Sequence, residues 1–256
     1  MRILLTLAAI FCLLTGCSPE KAPQETVWLA ENRSGIGESY YTVAAQLPRY
    51  TAEQASSDLA EKLMDNWRVW DSMDEMAQLL SSRLPGHCDS AWDTWAECEK
   101  YLAVRLENPL EEDLAYANES AIPLDTPALK GNGHHAKVSF SGQRDGTLDE
   151  VSIRAGYLDE EVRLALTVHL RCGTEEPFTT ASYWAEAVDF ETETVTLGDG
   201  TQVLLMQEES PGEYSALDAY FVKSDALYTL RAIGGKGEDE AVRQTMNRAL
   251  ESFGTE

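Results

Sequence analysis

From Thr51 onward the apolar residues Ala52, Ala55, Leu59, Leu63, Trp67, Trp70, Met73, Ala77 and Leu80 recur every three or four positions. That spacing places them on one face of a long helix. Leu84-Pro85-Gly86 stops it near Arg83, because proline cannot continue the helical ladder. The same period predicts a second helix over 94–106, with Trp95, Cys98, Leu102 and Leu106 inward and Asp93 as its cap. A short third helix is expected over 110–118, and Ile122-Pro123, Thr126-Pro127 and Gly131-Asn132-Gly133 then read as a linker.

Past the linker the period shortens to two. Residues 136–141, 149–157 and 162–170 are rich in Val, Ile and Leu, with turn signals at Asp145-Gly146 and Asp159-Glu160. Gly198-Asp199-Gly200 between 188–197 and 201–207 predicts a hairpin, because Gly and Asp tolerate the positive φ of a tight turn. Strands over 214–222 and 226–233 follow, and Val242, Met246, Leu250 and Phe253 mark the inner face of a last helix over 238–253. The expected class is α+β: an N-terminal helical region, then an antiparallel sheet with a C-terminal helix.

At the amino end Arg2 precedes an apolar run over 3–14, and Thr15-Gly16 leads into Cys17. This is the layout of a secretory leader. About a dozen apolar residues fall short of the roughly 20 a spanning helix needs. Leu14-Thr15-Gly16-Cys17 resembles the lipobox of bacterial lipoproteins. The resemblance implies that the Cys17 thiol takes a diacylglyceryl group and that the Gly16-Cys17 bond is cut. The mature protein would then be extracytoplasmic, with its lipid in the cell membrane, or in the outer membrane of an envelope that has two. Residues 17–38, rich in Pro, Glu, Gln, Ser and Gly, read as a flexible tether. The chain thus divides into a leader (1–16), a tether (17–38), a helical region (39–133) and a sheet domain (134–256).

Charge narrows the partners. The sequence carries 44 acidic and 20 basic side chains, a formal charge of −24. Removing Arg2 with the leader leaves 19 basic residues and −25. With its Lys and Arg scattered, such a chain repels nucleic acid, which is bound through clustered cations. An apolar content of 43% marks a globular body all the same.

Cys88, Cys98 and Cys172 remain as thiols once Cys12 leaves and Cys17 is lipidated. In an oxidising compartment Cys88 to Cys98 is the expected bridge. One continuous helix would hold them about 15 Å apart at 1.5 Å per residue, beyond the roughly 7 Å limit between Cα atoms. The bridge therefore requires Cys88 in a loop after Pro85-Gly86, folded back over Cys98.

Candidate chemistry is sparse. The adjacent His134-His135 would diverge in a strand, so no metal site is assigned, and His87 and His169 are isolated. Ser139, Ser141 and Ser152 fall in strands rather than at the strained turn that presents a nucleophile, and Cys172 has no obvious base. Glu175-Glu176, Glu191 with Glu193, and Glu208-Glu209 are carboxylate pairs of the kind glycosidases use, in a chain where carboxylates abound. Trp67 with Trp70, and Trp92 with Trp95, are spaced as a helical core stripe, and Gly234-Gly235-Lys236-Gly237 lacks the spacing of a phosphate loop. No cofactor is expected.

Two further resemblances concern the folded part. Residues 95–102, Trp95-Ala96-Glu97-Cys98-Glu99-Lys100-Tyr101-Leu102, followed by Asn108-Pro109-Leu110-Glu111, look like segments of uncharacterised lipoproteins of Gram-positive bacteria. The run 203–253, with Tyr220, Tyr228 and the closing helix, is similar to a domain of unknown function in bacterial envelope and anti-sigma-associated proteins. Both imply an envelope location and paired strands before a helix. The expected function is a membrane-anchored, non-catalytic binding or interaction module, with an envelope protein or a glycan as ligand. A carboxylate-dependent envelope hydrolase and an envelope stress-sensing domain are the alternatives.

Overall fold

Alternating apolar and polar side chains build strands that make up most of the regular structure among the described residues, starting close to the first of them. The computed structural model describes residues 26–33, 39–81, 84–117, 135–184, 190–208 and 214–255. In chain order the elements are β1 (Val27–Arg33), β2 (Ser39–Ala45), α1 (Glu53–Asp71), α2 (Glu75–Leu80), β3 (His87–Trp92), α3 (Trp95–Leu102), α4 (Leu110–Asp113) and β4 (Ala115–Ala117). There follow β5 (Ala136–Gly142), β6 (Leu148–Asp159), β7 (Val162–Arg171), β8 (Phe178–Trp184), β9 (Phe190–Thr196), β10 (Gln202–Glu208), β11 (Tyr214–Lys223), β12 (Ala226–Gly235) and α5 (Asp239–Phe253).

Among the described residues nine strands form one antiparallel sheet, ordered β3-β5-β6-β7-β12-β11-β10-β9, with β4 pairing β6 beyond the end of β5. Two meanders, β5 to β7 and β9 to β12, meet where β7 pairs β12 through Leu227 opposite His169 to Ile233 opposite Arg163. The chain between them leaves as β8 and joins β1 and β2 in a small three-stranded sheet. This excursion covers part of the large sheet's second face, where Val27, Val43, Leu47 and Phe178 pack on Leu204, Met206, Tyr220 and Leu227.

The first face carries the main core. Val138, Phe140, Val151, Ile153, Leu166, Val168, Phe221 and Leu230 meet Leu59 and Leu63 of α1, Trp95, Cys98 and Leu102 of α3, and Met246, Leu250 and Phe253 of α5. At roughly 25 cal/mol per Å² of apolar surface, burying a Leu or Phe side chain contributes about 1.5 to 3 kcal/mol. This layer is therefore the main source of stability.

The antiparallel sheet and C-terminal helix match the sequence reading, but the N-terminal helical region does not exist as expected. The long helix over 51–83 divides because Asp74 caps a new one: its side chain accepts from Ala77 N at 2.8 Å. Beyond Trp67, which still packs against the core, its apolar stripe turns to solvent, and Ala77 and Leu80 are exposed. The second helix ends at Leu102, and its cap is Thr94, not Asp93. Thr94 Oγ1 accepts from Glu97 N at 3.2 Å, while Glu97 Oε2 accepts from Asp93 N at 3.1 Å. The third helix gives way after Asp113 to β4. Within the tether expected over 17–38, Val27–Arg33 is a strand paired with β2, and residues 17–25 and 34–38 lie outside the described residues. The linker residues 122–133 lie outside the described residues.

No disulfide joins Cys88 to Cys98, which corrects the expected bridge. Cys88 lies in β3 opposite Phe140 rather than in a loop, and Cys98 points from α3 into the core. Burial pushes the thiols of Cys98 and Cys172 up to about 12, so both stay protonated and unreactive at neutral pH.

Candidate functional site: an arginine-lined groove at the end of the sheet

The segment 46–52 runs from β2 to α1 across the end of the large sheet. Tyr50 N donates to Arg171 O at 2.7 Å, and Tyr50 Oη donates to Leu102 O at 2.5 Å. These bonds fix Arg49 beside the C-terminal end of β7. Arg49 Nε donates to Cys172 O at 2.8 Å. Arg171, 8% exposed, uses Nη1 to donate to Leu47 O at 2.8 Å and to Glu176 Oε1 at 2.7 Å, and Nε to donate to Gly173 O at 3.3 Å. Arg105 stands opposite, on the loop that follows the left-handed Ala103 at the end of α3.

Between them lies a groove of about 570 Å³, floored by Leu106 and Leu170 and closed by the β11–β12 turn at Ser224 and Asp225. Both turn residues have positive φ, as a two-residue hairpin turn demands. A second depression, of about 440 Å³, continues past Arg49 and Arg171 to Glu150 and Phe178. Arg105 and Ser224 also border a third, of about 500 Å³, at Lys223.

Who neutralises whom decides which part can take a ligand. The Lys223 ammonium is already engaged by Glu107 at 2.8 Å, by Asp199 at 3.0 Å and by Phe253 O. That uses all three of its donors. Arg171 has one carboxylate partner. Arg49 and Arg105 have none among the described residues. In a chain with 44 acidic side chains, two guanidinium groups without a carboxylate beside a third that is buried form a local inversion of charge.

Comparison with protein-family models, with curated proteins and with solved structures found no match. The groove has to be read from its own geometry. A guanidinium presents parallel N–H donors that fit carboxylate or phosphate oxygens two at a time. Three of them around an apolar floor suit an anion that carries an apolar or sugar body.

Of the residues singled out in the sequence, Cys172, Glu175 and Glu176 border this site and most of the others fall elsewhere. Gly16, Cys17 and His134 lie outside the described residues. His135 stacks on Tyr116 with ring centroids 4.2 Å apart. Trp95 is core, Trp92 packs on Tyr101, and Trp67 carries the Arg144 guanidinium at 5.0 Å. Gly235 N donates to Glu238 Oε2, so the glycine run is a turn into α5. Glu176 holds Arg171 and Glu193 holds Arg243. Glu175 and Glu191 are exposed. Glu209 lies outside the described residues, and Glu208 ends β10.

The polar face of β3, β5, β6 and β7 brings His87, Asp89, Ser139, Ser152, Glu150 and His169 together, which sequence reasoning missed. Asp89, Ser139, Ser152 and His169 stand directly opposite one another across four strands. Ser139 Oγ donates to Asp89 at 2.7 Å, Lys137 Nζ lies 2.9 Å from Asp89, and His169 Nδ1 lies 2.5 Å from Glu150 Oε1. Burial disfavours the charge on Glu150, but the His169 bond and charge, with Arg154 and His87 near, outweigh it and hold the carboxyl below its ordinary range. Asp89 is lowered likewise against its burial, and Asp145 and Asp199 are lowered chiefly by the Thr147 and Thr201 backbone amides. A glycosidase-type general acid needs the opposite shift, and none of these four carboxylates shows it.

A pH prediction follows for Glu150. Its folded pKa is depressed, so its stabilisation is full above about 4.5, the unfolded value, and is lost as pH falls through the lower folded value. Glu150→Gln is expected to cost about 1 kcal/mol at pH 7 and much less at pH 3. Urea unfolding at the two pH values measures this, and an equal cost at both would contradict a stabilising role for the ionised Glu150 carboxylate.

Proposed function

We propose that this chain is a lipid-anchored extracytoplasmic binding module that holds an anionic ligand in the groove between Arg49, Arg105 and Arg171. The observation that carries the reading is the pair Arg49 and Arg105, which face a preformed groove of about 570 Å³ with no carboxylate partner among the described residues. Leaving both guanidinium groups without a carboxylate gains nothing in charge pairing for the fold. It makes sense for a ligand that supplies the missing charge. The ligand class that fits is a carboxylate- or phosphate-bearing envelope component.

The anchor rests on Leu14-Thr15-Gly16-Cys17. With lipid on Cys17, the nine steps to Thr26 reach at most about 30 Å, so the body would stay close to the membrane surface. Two or three acyl chains, at about 0.8 kcal/mol per buried methylene, would make attachment effectively permanent. Labelling cells with radioactive palmitate is expected to mark the wild type and not Cys17→Ala. Equal labelling of both, or of neither, would remove the anchor while leaving the groove to be tested by itself.

A further inference from the structure

Strand β3 forms one edge of the nine-stranded sheet among the described residues, and its backbone shows which groups face outward. Gly86 O accepts from Gly142 N, and Trp92 O accepts from His135 N, so the even-numbered residues turn their backbone groups toward β5. Odd-numbered residues then face away, since the two sides of an antiparallel strand alternate. The bonds of those residues agree. His87 N donates to Leu84 O, His87 O accepts from Asn66 Nδ2 on α1, and Asp93 N donates to the Glu97 carboxylate.

Both ends of the outer edge are thus capped by side chains. Asp89 and Ala91, between the caps, are exposed and have no backbone partner on that side among the described residues. Among the described residues, two N–H and two C=O groups, those of Asp89 and Ala91, thus stand open on this edge. Beside them runs a groove of about 590 Å³ between β3 and α1, with Asn66 and Phe140 in its walls. Its rim carries Val69 and Leu84, 49% and 70% exposed. Capped ends and an open centre next to an apolar rim are what an added strand requires.

We propose that this groove takes an extended basic peptide, which pairs with Asp89 and Ala91 as an additional strand and rests alternate apolar side chains against Val69 and Leu84. Charge selects the occupant. A second copy of the chain would bring another −24 to the edge, whereas a peptide of Lys or Arg alternating with Val or Leu complements the acidic body and keeps the alternation a strand needs. The site is separate from the arginine groove, so the two readings stand or fall independently.

The test uses the full chain and a fluorescent octapeptide of alternating Val and Lys, followed by anisotropy. The expected result is saturable binding that weakens at least tenfold when the peptide's N–H groups on one edge are N-methylated. Ala91→Pro removes an outward N–H without touching a bond to β5 and is expected to weaken binding to the same degree. Asp89→Lys provides a second disruption should the proline variant fail to fold. Absence of binding, or equal binding by the N-methylated peptide, would overturn the proposal, the latter by reducing the attraction to charge alone. A protein that is dimeric alone and becomes monomeric on Ala91→Pro would overturn it in favour of a second copy.

Discussion

Phe253→Ala is expected to lower stability by about 3 to 5 kcal/mol, the range for emptying a fully buried aromatic site. Phe253 is 0% exposed and stands edge-on to Phe221 and Tyr228, with centroids at 5.2 and 5.7 Å. Those two rings are stacked on each other at 5.1 Å, so one truncation removes both edge contacts and opens a void between α5 and the centre of the sheet. The carbonyl of the same residue accepts from Lys223, which links the helix end to the turn bordering the arginine groove. Phe253→Leu, which keeps most of the volume, is expected to cost about 1.5 kcal/mol or less. Urea unfolding of both variants checks this. A loss below about 1 kcal/mol for the alanine variant would mean that α5 is not part of the cooperative core.

Arg171→Met is the second large effect, at about 2 to 3 kcal/mol, because hydrogen bonds from a charged donor count for more than neutral ones. Methionine keeps the apolar stem but leaves Leu47 O and Gly173 O without the donor they now have. That bond to Leu47 holds the segment between β2 and α1 against β7, so its loss is expected to loosen the small sheet as well. Arg105→Ala, at an exposed position, is expected to stay within about 0.5 kcal/mol of the wild type. Thermal unfolding of the two variants separates the buried positioning arginine from the exposed ligand-facing one. Equal melting temperatures would contradict the division of roles.

How far the sequence reveals this molecule depends on whether a signal is local. The strands β5, β6, β7, β10, β11 and β12 and the helix α5 were legible because a two-residue alternation or a 3.6-residue period persists within each. β3 was not, since His87-Cys88-Asp89-Ser90-Ala91-Trp92 has no β-branched residue and owes its strand state to pairing with β5, about fifty residues later. β1 was hidden in a stretch whose Pro, Glu and Gly content reads as a linker, and β2 lies at the start of the part read as helical. They are strands because β2 pairs β8 and their apolar sides cover the second face of the large sheet. The long helix was overextended because apolar periodicity runs through Met73-Asp74, where the Asp74 cap takes precedence.

The candidate site was less legible still. Arg49, Arg105 and Arg171 share no motif and come together only because the chain crosses the sheet end between β2 and α1. Their sequence neighbours include acids such as Glu53, Glu107 and Glu175, so local charge counting gives no hint of the inversion. The signal is geometric, in who pairs with whom. Glu107 is spent on Lys223 and Glu176 on Arg171, which leaves the other two guanidinium groups to the groove.

Calorimetric titration of pyrophosphate and of a triglutamate peptide into the wild type and the Arg49→Ala/Arg105→Ala double variant tests the central claim most directly. Saturable one-to-one binding of at least one of these anions is expected, weakened at least tenfold in the double variant, which still folds cooperatively and loses only about 1 to 2 kcal/mol of stability with the Arg49 bond to Cys172 O. Failure of the wild type to bind either anion, or equal affinity in the two proteins, would contradict it.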